Sequence, residues 1–265
     1  MESDNPNREN KLNRSDPSGS QPDISVVIPA YNESKRLPDT LHAAEDYFNS
    51  RNLSREILVV DDGSQDDTVQ IARNLQNRIT GLKILCNDQN RGKGFSVRHG
   101  MLKAIGELAL MMDADQSSPM EELDKLLPAV RDGQHDIAIG SRALKNSEIV
   151  VHQPFYREPL GYLYNDLIQF LLLKGIEDTQ CGFKLFRREV AREVFSRGKL
   201  EGFAFDVEVL FIARKLGYRI AEIPIRWRND PNTKIKLLKH GSNMLADLLR
   251  IRWNAWKGLY NSNPK

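Results

Sequence analysis

Asp113-Ala114-Asp115 sets two carboxylates one small residue apart, directly after the apolar run Leu108 to Met112. Such a pair can hold a divalent cation between protein and a diphosphate, and its hard oxygens suit Mg²⁺ or Mn²⁺. Two further polar clusters follow apolar runs in the same way, Pro29-Ala30-Tyr31-Asn32-Glu33 and Asp61-Asp62-Gly63-Ser64. A carboxylate there can accept hydrogen bonds from a base edge, and a tyrosine ring can stack on a base. Asp-Asp-Gly-Ser read alone is equally a turn and helix cap; the two clusters on successive strands carry more weight together. Arg91-Gly92-Lys93-Gly94 opens a helical stretch, where glycines allow close backbone approach and a lysine beside a helix N-terminus favours phosphate. It is not a Walker pattern, so alone it is also consistent with a glycine-rich helix entry.

Something must bring these clusters together, and the order of elements suggests what. Short strand-like runs at Ile24–Ile28, Glu56–Val60, Leu82–Cys86, Leu108–Met112 and Asp136–Ile139 alternate with helical stretches. Leu37, Leu41, Ala44 and Phe48 recur at helical spacing, and Asp66 or Asp67 is placed to cap a helix carrying Val69, Ala72 and Leu75. Further helices are expected near Gly94–Ile105 and Met120–Val130. Such alternation predicts an α/β fold with a mostly parallel sheet covered on both faces. Ligands of these sheets sit at strand carboxyl ends, where the polar clusters fall. Beyond Arg142 the pattern is less regular: helices are expected at Tyr162–Leu173, Arg188–Phe195 and Phe205–Leu216, then a strand at Arg219–Ile225. Residues 1–22 are polar, with Leu12 the only large aliphatic side chain after Met1, and read as a disordered tail.

Composition narrows the function. The 265 residues carry 38 Lys+Arg against 36 Asp+Glu, a net charge of +2, which argues against nucleic-acid binding through bulk positive charge. No run approaches the roughly 18 apolar residues of a membrane-spanning helix, and the N-terminal residues lack the apolar core of a secretory signal. A cytoplasmic protein is expected. Its two cysteines form neither a disulfide framework nor a zinc pattern; Cys181, without an identifiable histidine partner, reads as structural. From Lys234 to Lys257, six Lys/Arg face the single acid Asp247, and Leu245, Leu249, Trp253 and Trp256 lie at helical spacing. A basic amphipathic helix with tryptophans suits a membrane interface; it could equally pack on the rest of the chain.

The series Val26-Val27-Ile28-Pro29-Ala30-Tyr31-Asn32-Glu33, Val60-Asp61-Asp62-Gly63-Ser64, Arg91-Gly92-Lys93-Gly94, Asp113-Ala114-Asp115 and Gly140-Ser141-Arg142 resembles inverting family 2 glycosyltransferases of the Rossmann-like GT-A fold. Within that family, Asp178-Thr179-Gln180-Cys181-Gly182-Phe183-Lys184-Leu185-Phe186 and Phe205-Asp206-Val207-Glu208 look like the dolichyl-phosphate β-glucosyltransferase version. The resemblance implies a catalytic domain over residues 23–235, a basic amphipathic segment over 236–265, and a nucleotide-sugar donor. It also implies a polyprenyl or dolichyl phosphate acceptor, reached by peripheral contact with the cytoplasmic face of a membrane. Pro29, Tyr31, Glu33, Val60 and Asp62 would hold the nucleoside, with Lys93 beside the donor. Asp113 and Ala114 would line the donor site, and Asp115, with Asp113, would bind the metal. Arg142, Arg228 and Lys234 would contact phosphates, and Arg157 would receive the acceptor phosphate.

The resemblance favours UDP-glucose, but Gln116-Ser117-Ser118-Pro119 departs from both the glucosyl and the mannosyl pattern, which leaves GDP-mannose open. A glycosyltransferase acting on a sugar hydroxyl would need a protein base, for which Asp178 or Asp206 would serve. A non-catalytic nucleotide-sugar-binding protein is the remaining alternative.

Overall fold

The computed structural model describes residues 21–151, 158–229 and 237–261. A seven-stranded mixed sheet runs β3-β2-β1-β4-β7-β5-β8. Its strands are β1 (Ile24–Ala30), β2 (Arg55–Asp61), β3 (Leu82–Cys86), β4 (Leu108–Met112), β5 (Ile137–Ser141), β7 (Phe183–Arg187) and β8 (Ile220–Pro224). A second, two-stranded sheet pairs β6 (Glu148–Val151) with β9 (Arg226–Arg228). The helices are α1 (Leu37–Arg51), α2 (Thr68–Gln76), α3 (Lys93–Lys103), α4 (Leu123–Arg131), α5 (Glu158–Leu171), α6 (Arg188–Arg197), α7 (Phe205–Lys215) and α8 (Leu237–Trp256).

The strands are apolar almost throughout because both faces of the sheet are covered. Successive side chains alternate between two cores. Ile24, Val26 and Ile28 of β1 join α1, α2 and α4 on one face. Val27 joins α3, α6 and α7 on the other, together with Leu58 and Val60 of β2. The chain winds outward from β1 through β2 to β3, then returns to place β4 on the other side of β1. This reversal opens a crevice at the carboxyl ends of β1 and β4.

Most expected elements form within a residue or two of their predicted bounds. Two features differ. β7 is a strand antiparallel to both β4 and β5, and its Phe-Lys-Leu-Phe-Arg sequence hides it. Lys184 interrupts the apolar run yet is only 1% exposed, because its charge is paired inside. β6 and β9 went unseen because they are short and largely exposed: β6 has four residues, of which Glu148, Val150 and Val151 are exposed, and β9 is only Arg-Trp-Arg. At the start of α2 it is Asp66, not Asp67, whose carboxylate accepts the Thr68 backbone N–H, at 3.0 Å. Burial pushes the Asp66 carboxyl up, but hydrogen bonds from Thr68 and Ser34 outweigh it and hold it down at about 2.

The last helix is firmly seated on one side. Leu248 and Ile251 enter the core, and beyond the helix Tyr260 is fully buried. Its hydroxyl donates to Glu208 on α7 at 2.6 Å and accepts from Asn254 at 3.1 Å. Glu208 also accepts the backbone N–H groups of Lys199 and Leu200, both at 2.9 Å. The expected boundary at residue 235, residues 1–20 of the tail expected over 1–22, Arg157 and Lys234 lie outside the described residues.

Gly100 lets α3 lie directly on the sheet: a Cβ there would stand 2.4 Å from Val27 Cγ1 and 2.9 Å from Val60 Cγ2. Gly100→Ala must therefore lift the helix that carries Lys93. Urea denaturation is expected to show a loss of about 1–3 kcal/mol, whereas an unchanged midpoint would mean that the contact is not tight.

Candidate functional site

The polar clusters meet where the topology predicts. Tyr31–Glu33 follow β1, Asp62 follows β2, Asp113–Asp115 follow β4 and Arg142 follows β5. β7 runs the other way, so its start lies at the same edge, with Phe183 beside Met112 in register.

The loops after β1 and β2 are stitched together. Asn32, with φ 54°, donates its backbone N–H to Ser64 Oγ at 2.9 Å and accepts the Gln65 N–H on its side-chain oxygen at 2.8 Å. Glu33 receives the guanidinium of Arg36 on both carboxylate oxygens, each at 2.6 Å, and its N–H bonds Thr68 Oγ1. Asp62 is nearly saturated: Asn87 Nδ2 at 2.8 Å, Arg91 N–H at 3.0 Å and Gly92 N–H at 2.8 Å all donate to it. Its carboxylate shapes the Arg91–Gly92 turn. Pro29 and Val60 are register partners. The Val60 side chain is fully buried in the core, so any contact it makes with a ligand runs through its backbone.

That turn delivers Lys93. Gly92 has φ 102°, and a Cβ would lie 2.5 Å from the Glu201 carbonyl oxygen. The same carbonyl accepts the Gly94 N–H at 2.8 Å, fixing the start of α3. Lys93 Nζ then reaches Asp113 Oδ1 at 2.6 Å. Burial works against the ammonium, but Asp113, Asp206 and Asp115 together outweigh it and hold it protonated.

Ala114 is buried, and its carbonyl accepts from Thr40 Oγ1 at 2.8 Å, pinning the Asp113–Asp115 loop to α1. Asp115 accepts the Ser117 N–H at 2.9 Å, in a turn where Gln116 adopts φ 52°. The Arg228 N–H reaches Ser117 O at 2.8 Å, so the second sheet brings Arg228 beside the same loop. Burial and the Asp113 charge push the Asp115 carboxyl up.

That excess of negative charge, on hard oxygens, fits a divalent cation. Among the described residues no three ligating side chains converge, so a metal held by Asp113 and Asp115 would draw the rest of its shell from ligand oxygens and water.

Gly182 was missed as a site residue, although it stands in the motif carrying the resemblance. A Cβ on it would lie 2.0 Å from Asp113 Oδ2. Glycine is therefore what lets β7 back the carboxylate. Lys184, also missed, donates to Asp206 at 2.5 Å and to the Cys181 carbonyl. Only the folded pairing, not an apolar pattern, marks it.

The two aspartates offered as bases for transfer to a hydroxyl are occupied. Asp178 accepts Arg142 Nε at 2.6 Å, Nη2 at 2.8 Å and the Arg142 backbone N–H at 2.9 Å. Burial raises its carboxyl, but the guanidinium prevails and keeps it below the usual range. Arg142 thereby keeps only Nη1 outside the fork, with its guanidinium 5.3 Å from the Trp227 ring centroid. Asp206 is buried on Lys184, and burial holds its carboxyl above the usual range despite Lys184 and Lys93. Cys181 is 1% exposed, its thiol pushed up to about 11 by burial and Asp178. It is structural, as expected.

The chain is similar to known proteins in sequence and in fold. The model of the family described as "Glycosyl transferase family 2" matches residues 25–195. A dolichyl-phosphate beta-glucosyltransferase from Homo sapiens is 38% identical over 250 residues, covering 88% of this chain and 77% of that protein. One from Saccharomyces cerevisiae is 36% identical over 259 residues, covering 91% and 78%. Among solved structures, mannosyl-3-phosphoglycerate synthase from Rubrobacter xylanophilus superposes with a TM-score of 0.67 at 19% identity, over 92% of this chain and 77% of that one. Glucosyl-3-phosphoglycerate synthase from Mycobacterium tuberculosis, in complex with Mn²⁺, UDP-glucose and phosphoglyceric acid, gives 0.65 at 18%, over 87% and 79%. With its motifs gathered at one crevice of the sheet, this chain belongs to glycosyltransferase family 2.

Proposed function

We propose that the protein transfers glucose, with inversion, from UDP-glucose to a polyprenyl phosphate such as dolichyl phosphate, using Mg²⁺ or Mn²⁺. The observation that carries this reading is the group at the β4 end: Asp113, Asp115 and Lys93 converge, while the nearby aspartates are already paired. The relatives' names support glucose and the lipid phosphate, and the Mn²⁺ complex of the structural neighbour supports the metal.

The nucleoside lies across the joined loops after β1 and β2, with Tyr31 beside it. Asp113 and Asp115 hold the metal, which supplies charge neutralisation to the departing diphosphate. Lys93 holds the Asp113 carboxylate in place through their ion pair. Arg142 and Arg228 face phosphate oxygens; Arg157 and Lys234 keep the same assignment as expectations from the resemblance. An acceptor phosphate oxygen attacks the anomeric carbon opposite the leaving UDP. A phosphate monoester has its second pKa near 6, so the nucleophile is already anionic and no protein base is required. Positioning and charge stabilisation supply the rate.

Incubation with labelled UDP-glucose or GDP-mannose, polyprenyl phosphate and Mg²⁺ is expected to move label into lipid from UDP-glucose, whereas transfer from GDP-mannose alone would overturn the donor assignment. Asp115→Asn should lower kcat by about a thousandfold or more, with its thermal midpoint near that of the wild type. Gly182→Ala tests placement. The clash falls on the end of a side chain, so stability should change by under about 1 kcal/mol, while displacing Asp113 should cut activity on the order of a hundredfold. Asp178→Asn should weaken turnover by loosening Arg142 yet leave the acidic limb of the pH–rate profile where it is. A limb that disappears in this variant would make Asp178 the base.

A further inference from the structure

α8 is apolar on two sides. Leu248 and Ile251 are buried, with Asn254, against the rest of the protein. Leu245, Leu249, Trp253 and Trp256 point the other way, at 45%, 59%, 53% and 77% exposure. At about 100° per residue these four fall within roughly 80° of arc, nearly opposite the buried set. Trp253 and Trp256 lie with ring centroids 5.1 Å apart. Exposed Arg252 borders the stripe on one side and exposed Arg250 on the other. Lys257 Nζ sits 4.9 Å from the Trp253 centroid. From Leu245 to Asn261 the only acid, Asp247, lies away from the stripe, half-buried. Leu163 and Phe170, seven residues apart on α5, which packs on α8, are 67% and 85% exposed.

We infer that this outward face of α8 docks the protein on a bilayer surface bearing anionic headgroups. Tryptophans in an apolar stripe edged by cations match the layered polarity of a membrane interface, apolar below and anionic above. A second copy of the chain would bring Arg250, Arg252 and Lys257 against their own kind, so charge favours the lipid. The opposite face can bear the attachment because Tyr260 and Glu208 lock it to the domain. No helix among the described residues is long and apolar enough to cross a membrane. The inference rests on the lipid-phosphate reading only in explaining why the enzyme would visit a bilayer.

The test uses the full chain with vesicles of phosphatidylcholine, alone or with about a third phosphatidylserine. Trp227 is buried, so a change in tryptophan emission reports the other two of the three tryptophans. Expected are co-sedimentation with the anionic vesicles and a blue shift of that emission. The variant Leu249→Ser/Trp253→Ser/Trp256→Ser should lose about tenfold or more of the binding. It should also lose transfer to long-chain polyprenyl phosphate in vesicles, yet keep transfer to a short, water-soluble polyprenyl phosphate. Arg250→Gln/Arg252→Gln/Lys257→Gln should erase the preference for anionic vesicles. Docking is overturned if the wild type ignores both vesicle types, if the serine variant binds as well, or if the stripe proves to hold a dimer that the serine variant dissociates. Vesicle binding without transfer to any polyprenyl phosphate would instead overturn the acceptor assignment and leave docking standing.

Discussion

Negative charge crowded at the end of β4 is the constraint around which the rest is arranged. Asp113 and Asp115 flank one buried alanine, and burial together with Asp113 already pushes the Asp115 carboxyl up. Leaving such a pair uncompensated would be costly. The fold answers with Lys93 on Asp113 and, behind it, a buried Lys184–Asp206 pair. Cations and carboxylates alternate through the site. The glycines follow from the same constraint: Gly92 brings Lys93 in, and Gly182 leaves room for the Asp113 carboxylate.

A second pair decides how the chemistry can run. Arg142 spends two of its nitrogens on Asp178. Asp178 is buried, so removing Arg142 would strand its charge. Asp178 is thus engaged in positioning Arg142, the arginine that the proposed function turns toward phosphate, and is not free to accept a proton. Transfer to a sugar hydroxyl would need a free base, and the aspartates offered for it are engaged. An anionic acceptor removes that requirement, and the cations at the crevice offset its repulsion from the donor diphosphate.

Much of this was legible in the sequence, for a physical reason. In a sheet covered on both faces, strand residues are apolar and polar clusters stand out where strands end, so Asp113, Asp115 and Asp62 became candidates by position, whereas Arg142 was named only by the resemblance. What stayed hidden depends on pairing across the chain. Lys184 looks like a surface charge until Asp206 meets it 22 residues later, and β7 is masked by that lysine. Asp178 and Asp206 share the residue type of a base; only their partners reveal that neither is free. The C-terminal helix showed its tryptophans and cations at once, but not that its apolar residues divide between two faces. Arg157 and Lys234 lie outside the described residues and remain expectations from the resemblance.

The most direct test of the central claim, that an anionic lipid phosphate rather than a hydroxyl is the nucleophile, compares two acceptors differing only in that group. Wild-type enzyme is given labelled UDP-glucose, Mg²⁺ and either a polyprenyl phosphate or the matching polyprenol. The account predicts a β-linked glucosyl phosphate lipid from the first and no labelled lipid from the second. Comparable glucosylation of the free polyprenol would contradict it.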